Sequence, residues 1–351
     1  MYDTLNFANP VRAIRTIDRT EAVDAASKLS LNPITVPLSK VEVNENGTIS
    51  IEGSSKTITM FGFEQLCKHL GLPRPFARKI PLDLLFTNVG RLIEEHSEEQ
   101  VVFLERMNGE LAGVVKFPFM EVSALDFIST FSEKDSIKYF DVGETLSTIC
   151  LGFDPIYPEG FGSDVHIGSF LYNSTVRVKP LHLFFGLFKS SCENSFVAPY
   201  MGKVRANYKL EDATERLLAF SDSVLEYDDD VVSTLKERFR IMESRTLFRH
   251  EKVFIWKKLN RLVGDEVADT ILRTNEEERK VMIEVVSQWS SGNKRARLLG
   301  EAIEEPTLTS TSVYDVINDI TNYPIKYDVH EVAKQEFELL GGKIIEQVLL
   351  T

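Results

Sequence analysis

"VVFLERMNGELAGVVKF", residues 101–117, constrains the fold of this chain more than any other stretch. Two apolar runs flank Asn108-Gly109. Asn-Gly is the strongest short-range hairpin signal, because two-residue hairpin turns need positive φ at both central positions. The segment therefore predicts two antiparallel strands. "KVEVNENGTISIEGSSKTITMFG", residues 40–62, alternates apolar and polar residues around Asn46-Gly47 and predicts a second pair of strands.

Between and around these hairpins the spacing changes to that of helices. Thr20 stands as the cap of a helical stretch, "RTEAVDAASKLSL". Phe63, Leu66, Cys67 and Leu70 fall on one helical face, and Gly71 ends that helix. A further helix is expected from Leu82 to His96, with Leu84, Leu85, Val89, Leu92 and Ile93 inward. "EVSALDFISTF" is expected to be helical. "SIKYFDVGETLSTICLGFDPIYPEGFGSDVHIGSFLYNSTVRVKP" predicts several strands joined by a Pro/Gly loop, and Pro180 is expected to close the β-rich region.

Beyond residue 210 the apolar residues recur every three or four positions between charged faces. Gly264 marks a break, and Gly341-Gly342 is expected to interrupt the last helix. The fold class is α+β, with antiparallel hairpins in a β-rich N-terminal half and helices in the C-terminal half. Residues 1–35 are expected as an N-terminal arm, 36–180 as a β-rich region and 181–351 as a helical region, compatible with packing on the first as a single domain.

A content of 43% hydrophobic and 26% charged residues supplies a globular core. The net charge of −13 excludes a protein that coats DNA by bulk charge. It leaves room for a local basic patch, since such patches act within about 8–10 Å in physiological salt. Cys67, Cys150 and Cys192 are too few for a disulfide framework, which points to a reducing cytoplasm. No apolar run approaches the roughly 20 residues that span a bilayer, and the N-terminus lacks a secretory signal, so no membrane partner is expected.

The usual reactive constellations are absent from the sequence. No GxxxxGK[ST] loop occurs, and "EGFGSD" lacks GxGxxG spacing, so no nucleotide cofactor is expected. The six histidines are scattered, and Cys67 with His69 has no nearby partner pair, so no metal is expected. Cys192 and His182 would have to meet to act as a thiol–imidazole pair, but a small buried cysteine explains Cys192 better. The acids at 228–230 and 276–278 point in different directions on a helix and read as caps or solvated faces. The chain is expected to be non-enzymatic.

One segment stands against the acidic background. "STVRVKPLHLFFGLFKSSCENSFVAPYMGKVRANYKL", residues 174–210, carries Arg177, Lys179, Lys189, Lys203, Arg205 and Lys209 against Glu193 alone. Cations bind phosphates, and rings stack on unpaired bases at about 1–3 kcal/mol each. If Tyr172–Pro180 is a strand, Arg177 and Lys179 share one face. Arg177, Lys179, Lys203, Arg205 and Lys209 are the candidate phosphate contacts, and Tyr172, Tyr200 and Tyr208 the candidate stacking rings. Phe184, Phe185 and Phe188 read as core. Further basic stretches follow at Arg245, Arg249, Lys252, Lys257, Lys258 and Arg261, and at Lys294–Arg297.

The same segment resembles the central signature of a phage- and plasmid-borne family known as domain of unknown function 932. The resemblance rests on Ser174, Arg177-Val178, Cys192 and Asn194; on Thr311, Asn318, Thr321 and Tyr323; and on "ELLGGKIIEQ" and "LGLPRPFARKIP". It implies a helix ending at the Cys-x-Asn, and a mobile-element origin, most simply a bacteriophage with action in the host cytoplasm. It implies no activity. The expected partner is single-stranded DNA or RNA in replication or recombination, with a homo-oligomer compatible. The alternatives are an acidic protein that engages a host protein, since −13 can imitate a phosphate backbone, and a virion structural protein.

Overall fold

The computed structural model describes residues 6–9, 11–77, 80–118, 122–131, 137–155, 165–176, 181–189, 194–197, 203–206, 229–280, 282–283, 312–327 and 331–347. The chain forms two compact units. One comprises Met1–Cys150, Leu171–His182 and Arg205–Asp222, and the other Leu151–Phe170, Leu183–Val204 and Ser223–Thr351.

The first unit begins with strand β1 (Ile14–Thr16) and helix α1 (Arg19–Lys28). Asp18, not Thr20, is the cap of α1: its side chain accepts from the Glu21 amide at 2.9 Å. β2 (Asn32–Pro37) then pairs antiparallel with β6 (Gln100–Glu105), which pairs with β7 (Leu111–Lys116). Within the stretch expected as an N-terminal arm, Ile14–Thr16 and the first residues of Asn32–Pro37 are thus paired in sheets. β3 (Val41–Val43), β4 (Ile49–Ile51) and β5 (Ser54–Lys56) form a second antiparallel sheet. Helices α2 (Met60–His69), α3 (Arg74–Ala77) and α4 (Leu82–Glu95) lie between β5 and β6. Phe63, Leu66, Cys67, Leu85, Val89 and Ile93 from these helices join Ile49, Ile51, Val101 and Phe103 from the strands in one core. Leu84, expected inward, is 52% exposed. Helix α5 (Ala124–Phe131) and strand β8 (Ile137–Val142) follow, and β8 pairs antiparallel with β1.

The two Asn-Gly loops share one design. Gly47 donates its amide to the Asn44 carbonyl at 2.9 Å, and Asn44 donates to Thr48 at 2.9 Å. Gly109 and Arg106 repeat the pattern, with Gly109 donating to Arg106 and Arg106 to Glu110. Only the glycines take positive φ, +84° at each. The asparagines instead accept from the backbone two residues on, at Thr48 and Glu110. These are longer loops closed by a glycine, not two-residue turns. The true two-residue turn is Glu52-Gly53, between β4 and β5, with φ of 51° and 83°.

Pro180 does not close the β-rich region. β9 (Ser147–Pro155) and β10 (Val165–Asn173) are followed by β11 (Leu181–Lys189), β12 (Asn194–Val197) and β13 (Lys203–Ala206). The expected helix before the Cys-x-Asn is β11, a strand: "LHLFFGLFK" is a short apolar run rich in aromatic residues, which suits a buried strand as well as a helix. The sheet order is β1-β8-β9-β10-β11-β12, with β13 on β11. Within the second unit, β11 and β12 pair antiparallel, Phe188 opposite Ser195.

The rest of the second unit is helical: α6 (Asp229–Ser244), α7 (Arg249–Val263), α8 (Asp265–Ile271), α9 (Val313–Lys326) and α10 (Glu331–Gln347). Trp256, Leu259, Ile317, Ile320, Phe337 and Ile344 meet in its core. Gly264, at φ +87°, ends α7 and starts α8. Gly341-Gly342 does not interrupt α10; both glycines are buried inside a continuous helix. The α+β class is what the periodicities predict, with antiparallel sheets in the N-terminal half and helices in the C-terminal half. No described helix is long and apolar enough to cross a membrane.

Candidate nucleic-acid interface

The expected interface starts at Tyr172, and this ring is fully buried, at 0% exposure. A ring that presents no face to solvent stacks on no base, so Tyr172 leaves the candidate set. The strand expected across 172–180 ends at Asn173. The residues after it are fastened inside the first unit. Asn173 donates to the Val122 carbonyl at 2.9 Å, Ser174 to the Thr145 carbonyl at 2.7 Å, and the Val176 carbonyl accepts from Gln65 at 2.8 Å. Gln65 in turn accepts from the Val114 amide. Gly113 is required beside this junction, since an added Cβ would stand 3.0 Å from Val176 and 2.9 Å from Gln65. Ser174 therefore serves packing, not a surface.

Lys203 and Arg205 occupy alternate positions of β13. Arg177, Lys179, Lys209, Tyr200 and Tyr208 lie outside the described residues, as do Cys192 and Lys294–Arg297. Phe184 is buried, as expected of core.

The second basic stretch, along α7, is sorted by the structure into two groups. Arg245 pairs with Glu251 and lies over the Phe248 ring, while Lys252, 4% exposed, donates to Glu278 at 2.9 Å. These two cations neutralise the chain's own carboxylates. Glu278 also closes a reciprocal cap with Asn275, its amide donating to the Asn275 side chain at 2.9 Å. Glu276 pairs with Lys280 at 3.3 Å. Glu276 thus acts as a partner and Glu278 as cap and partner, in keeping with their reading from sequence.

The other group gathers at the far end of α7. Trp256 fixes the helix by donating from its indole nitrogen to Asp269 at 2.7 Å. With Trp256 and Leu259 inward, Lys257, Lys258 and Arg261 lie along the flank. Lys258 sits over the Phe254 ring at 5.5 Å. Burial holds its ammonium below the usual lysine range, and Lys343, Arg261 and Lys257 push the same way, with Glu336 opposing. Lys343 comes from α10, where it is exposed between buried Gly342 and Ile344. Lys257 and Arg261 of α7 and Lys343 of α10 thus bear on the Lys258 charge, and Glu336 offsets part of their repulsion.

Sequence reading singled out Lys257, Lys258 and Arg261 but not Lys343. The period of α10 marks Lys343 as outward, but only tertiary packing brings it beside α7. Cys67 offers no nucleophile: it is buried, and burial together with Glu64 pushes its thiol up to about 12. Among the described residues, no three His, Cys, Asp or Glu side chains are placed to hold a metal ion. No family model matches the chain, and no curated protein or solved structure matches it either.

Proposed function

We propose that this protein binds single-stranded DNA or RNA without chemistry of its own, through the basic flank of α7 and α10, in the replication or recombination of a mobile element such as a bacteriophage. The observation that carries the reading is the basic flank of α7 and α10, where Lys257, Arg261 and Lys343 bear on the Lys258 charge against Glu336, in a chain of net charge −13. A local group of cations attracts anions, and a phosphodiester backbone supplies evenly spaced ones. Phe254 beneath Lys258 gives the patch an apolar footing. The sequence itself points to Arg177, Lys179, Lys203, Arg205 and Lys209 as phosphate contacts.

Fluorescence anisotropy with labelled single-stranded oligonucleotides, at low and moderate salt, tests the reading. Binding at low salt that weakens as salt rises is expected. Lys258→Glu with Arg261→Glu, both at the flank, should abolish most of it while the melting temperature holds. Absence of binding at low salt would end the proposal, and so would binding indifferent to the double charge reversal.

A further inference from the structure

We infer that Tyr327, at the end of α9, is a stacking platform for an unpaired base of a single strand. The stacking rings expected from the sequence include Tyr172, which is buried. The one exposed tyrosine among the described residues is Tyr327, at 56% exposure. Tyr139 is buried like Tyr172, and Tyr314 and Tyr323 are half-buried.

The ring is held from below. The Tyr327 amide donates to the Tyr323 carbonyl at 3.0 Å and closes the last turn of α9. The i, i+4 spacing sets the two rings against each other, with centroids 4.6 Å apart and planes at 34°. Tyr323 in turn stacks on Phe337 of α10, at 5.5 Å and 25°. Phe337 is fully buried in the core of the second unit. Three rings thus form a ladder from the core to the surface, at separations typical of favourable aromatic pairs. A ring already oriented in this way loses little freedom when a flat ligand stacks on it.

The ladder selects the shape of a ligand, and Lys326 selects its charge. Lys326 is exposed, and its ammonium lies 5.3 Å from the centroid of the Tyr327 ring. A cation–π contact at an exposed site is weaker than base–aromatic stacking, so a base displaces the flexible lysine from the ring. The displaced ammonium remains beside whatever carries the base, and it favours an anion there. A cationic ligand is repelled, and an uncharged sugar gains nothing from Lys326. A flat ring carried on an anion is a nucleotide, and a single strand leaves its bases free to stack on protein rings.

The platform belongs to the same unit as the basic flank. Phe337 follows Glu336, which bears on the Lys258 charge, and Lys343 lies about 9 Å further along the axis of α10. The inference rests on the nucleic-acid reading above and adds a contact to the base, which cations alone do not supply.

The test is fluorescence anisotropy of the full chain with a labelled single-stranded oligonucleotide and with an abasic strand of the same length. The unaltered protein should prefer the base-bearing strand by about fivefold to fiftyfold. Tyr327→Leu should cut that preference about fivefold or more while the salt slope holds, because stacking releases no counterions. Tyr327→Phe should keep it. The preference is a ratio read within each variant, so a change in the folded fraction cancels. Lys258→Glu with Arg261→Glu should weaken both strands and leave the ratio intact. A ratio indifferent to Tyr327→Leu would overturn the platform and leave the basic flank standing. A ratio that follows Tyr327 beside affinities that ignore the charge reversal would do the opposite. Equal binding of the two strands by the unaltered protein would overturn the platform, and no binding of either would end both.

Discussion

Glu52 stands at φ 51° in the turn between β4 and β5, a conformation that costs an L-residue with a Cβ roughly 1–2 kcal/mol. Asparagine tolerates it far better. Glu52→Asn should therefore raise stability by about 0.5–1 kcal/mol in urea unfolding, with no change in the slope. Gly53→Ala, at φ +83°, should lower it. A second effect at this scale concerns Glu99, whose two oxygens face two imidazoles: His96 Nδ1 at 2.8 Å and His69 Nε2 at 3.7 Å. Burial holds His69 below its ordinary 6.5; Lys116 and His96 push the same way, and Glu99 opposes them. The hydrogen bond from His96 is the chief cause that holds Glu99 below its ordinary 4.5. In both cases the unfolded chain binds the proton more readily, so stability rises with pH. The His69 contribution is complete above pH 6.5 and is lost as pH falls through its lower folded value; the Glu99 contribution is complete above 4.5 and is lost below it. Urea midpoints measured between pH 7 and 5 should decline, and His69→Gln should flatten that decline without altering the loss below pH 4.5.

Elements were legible wherever local pattern decides them. The hairpin at 101–117, the face of α2 and the break at Gly264 all follow from spacing and turn chemistry that neighbours do not override. Elements governed by tertiary context were not legible. "LHLFFGLFK" carries no alternation because β11 has so few polar residues, and a short apolar run fits a strand or a buried helix equally. Gly341-Gly342 continues α10 because both glycines are buried among packed neighbours, which offsets a propensity cost of about 1 kcal/mol each. The candidate site divides the same way: the cations of α7 were visible, but which of them meet carboxylates was not. Glu278 lies 26 residues from Lys252, and no local rule joins them. Their pairing has a checkable asymmetry. Glu278→Gln leaves the Lys252 ammonium buried without its counter-charge and should cost about 1–3 kcal/mol, although an amide keeps the cap with Asn275. Lys252→Met removes the buried charge and keeps the volume, and the half-exposed Glu278 is rehydrated, so it should cost less than about 1 kcal/mol. Thermal melts of the two variants, read side by side, would show the asymmetry; equal losses would mean that the unpaired ammonium carries no penalty of its own.

At the scale of the whole molecule, a chain of net charge −13 repels a polyanion at long range and can attract one only locally. Screening acts on both terms, but not equally. Salt first removes the diffuse repulsion, whose sources are spread over distances longer than the roughly 8–10 Å Debye length, and only later weakens contacts made within it. An acidic protein with a basic flank should therefore bind a single strand with a salt dependence that is shallow at the lowest ionic strengths and steepens above them. Where it steepens, the slope of log K against log salt counts phosphates at roughly −0.7 per contact on a single strand. If Lys257, Lys258, Arg261 and Lys343 are the contacts, reversing Lys258 and Arg261 should lower the slope by about 1–2 units as well as the affinity. Reversing the paired Arg245 should leave the slope unchanged, because its charge is already met by Glu251. Anisotropy over a full salt series distinguishes these outcomes. A slope that stays constant when the α7 flank is reversed would place the phosphate contacts elsewhere, and the cations between Arg177 and Lys209 would then be the ones to reverse next.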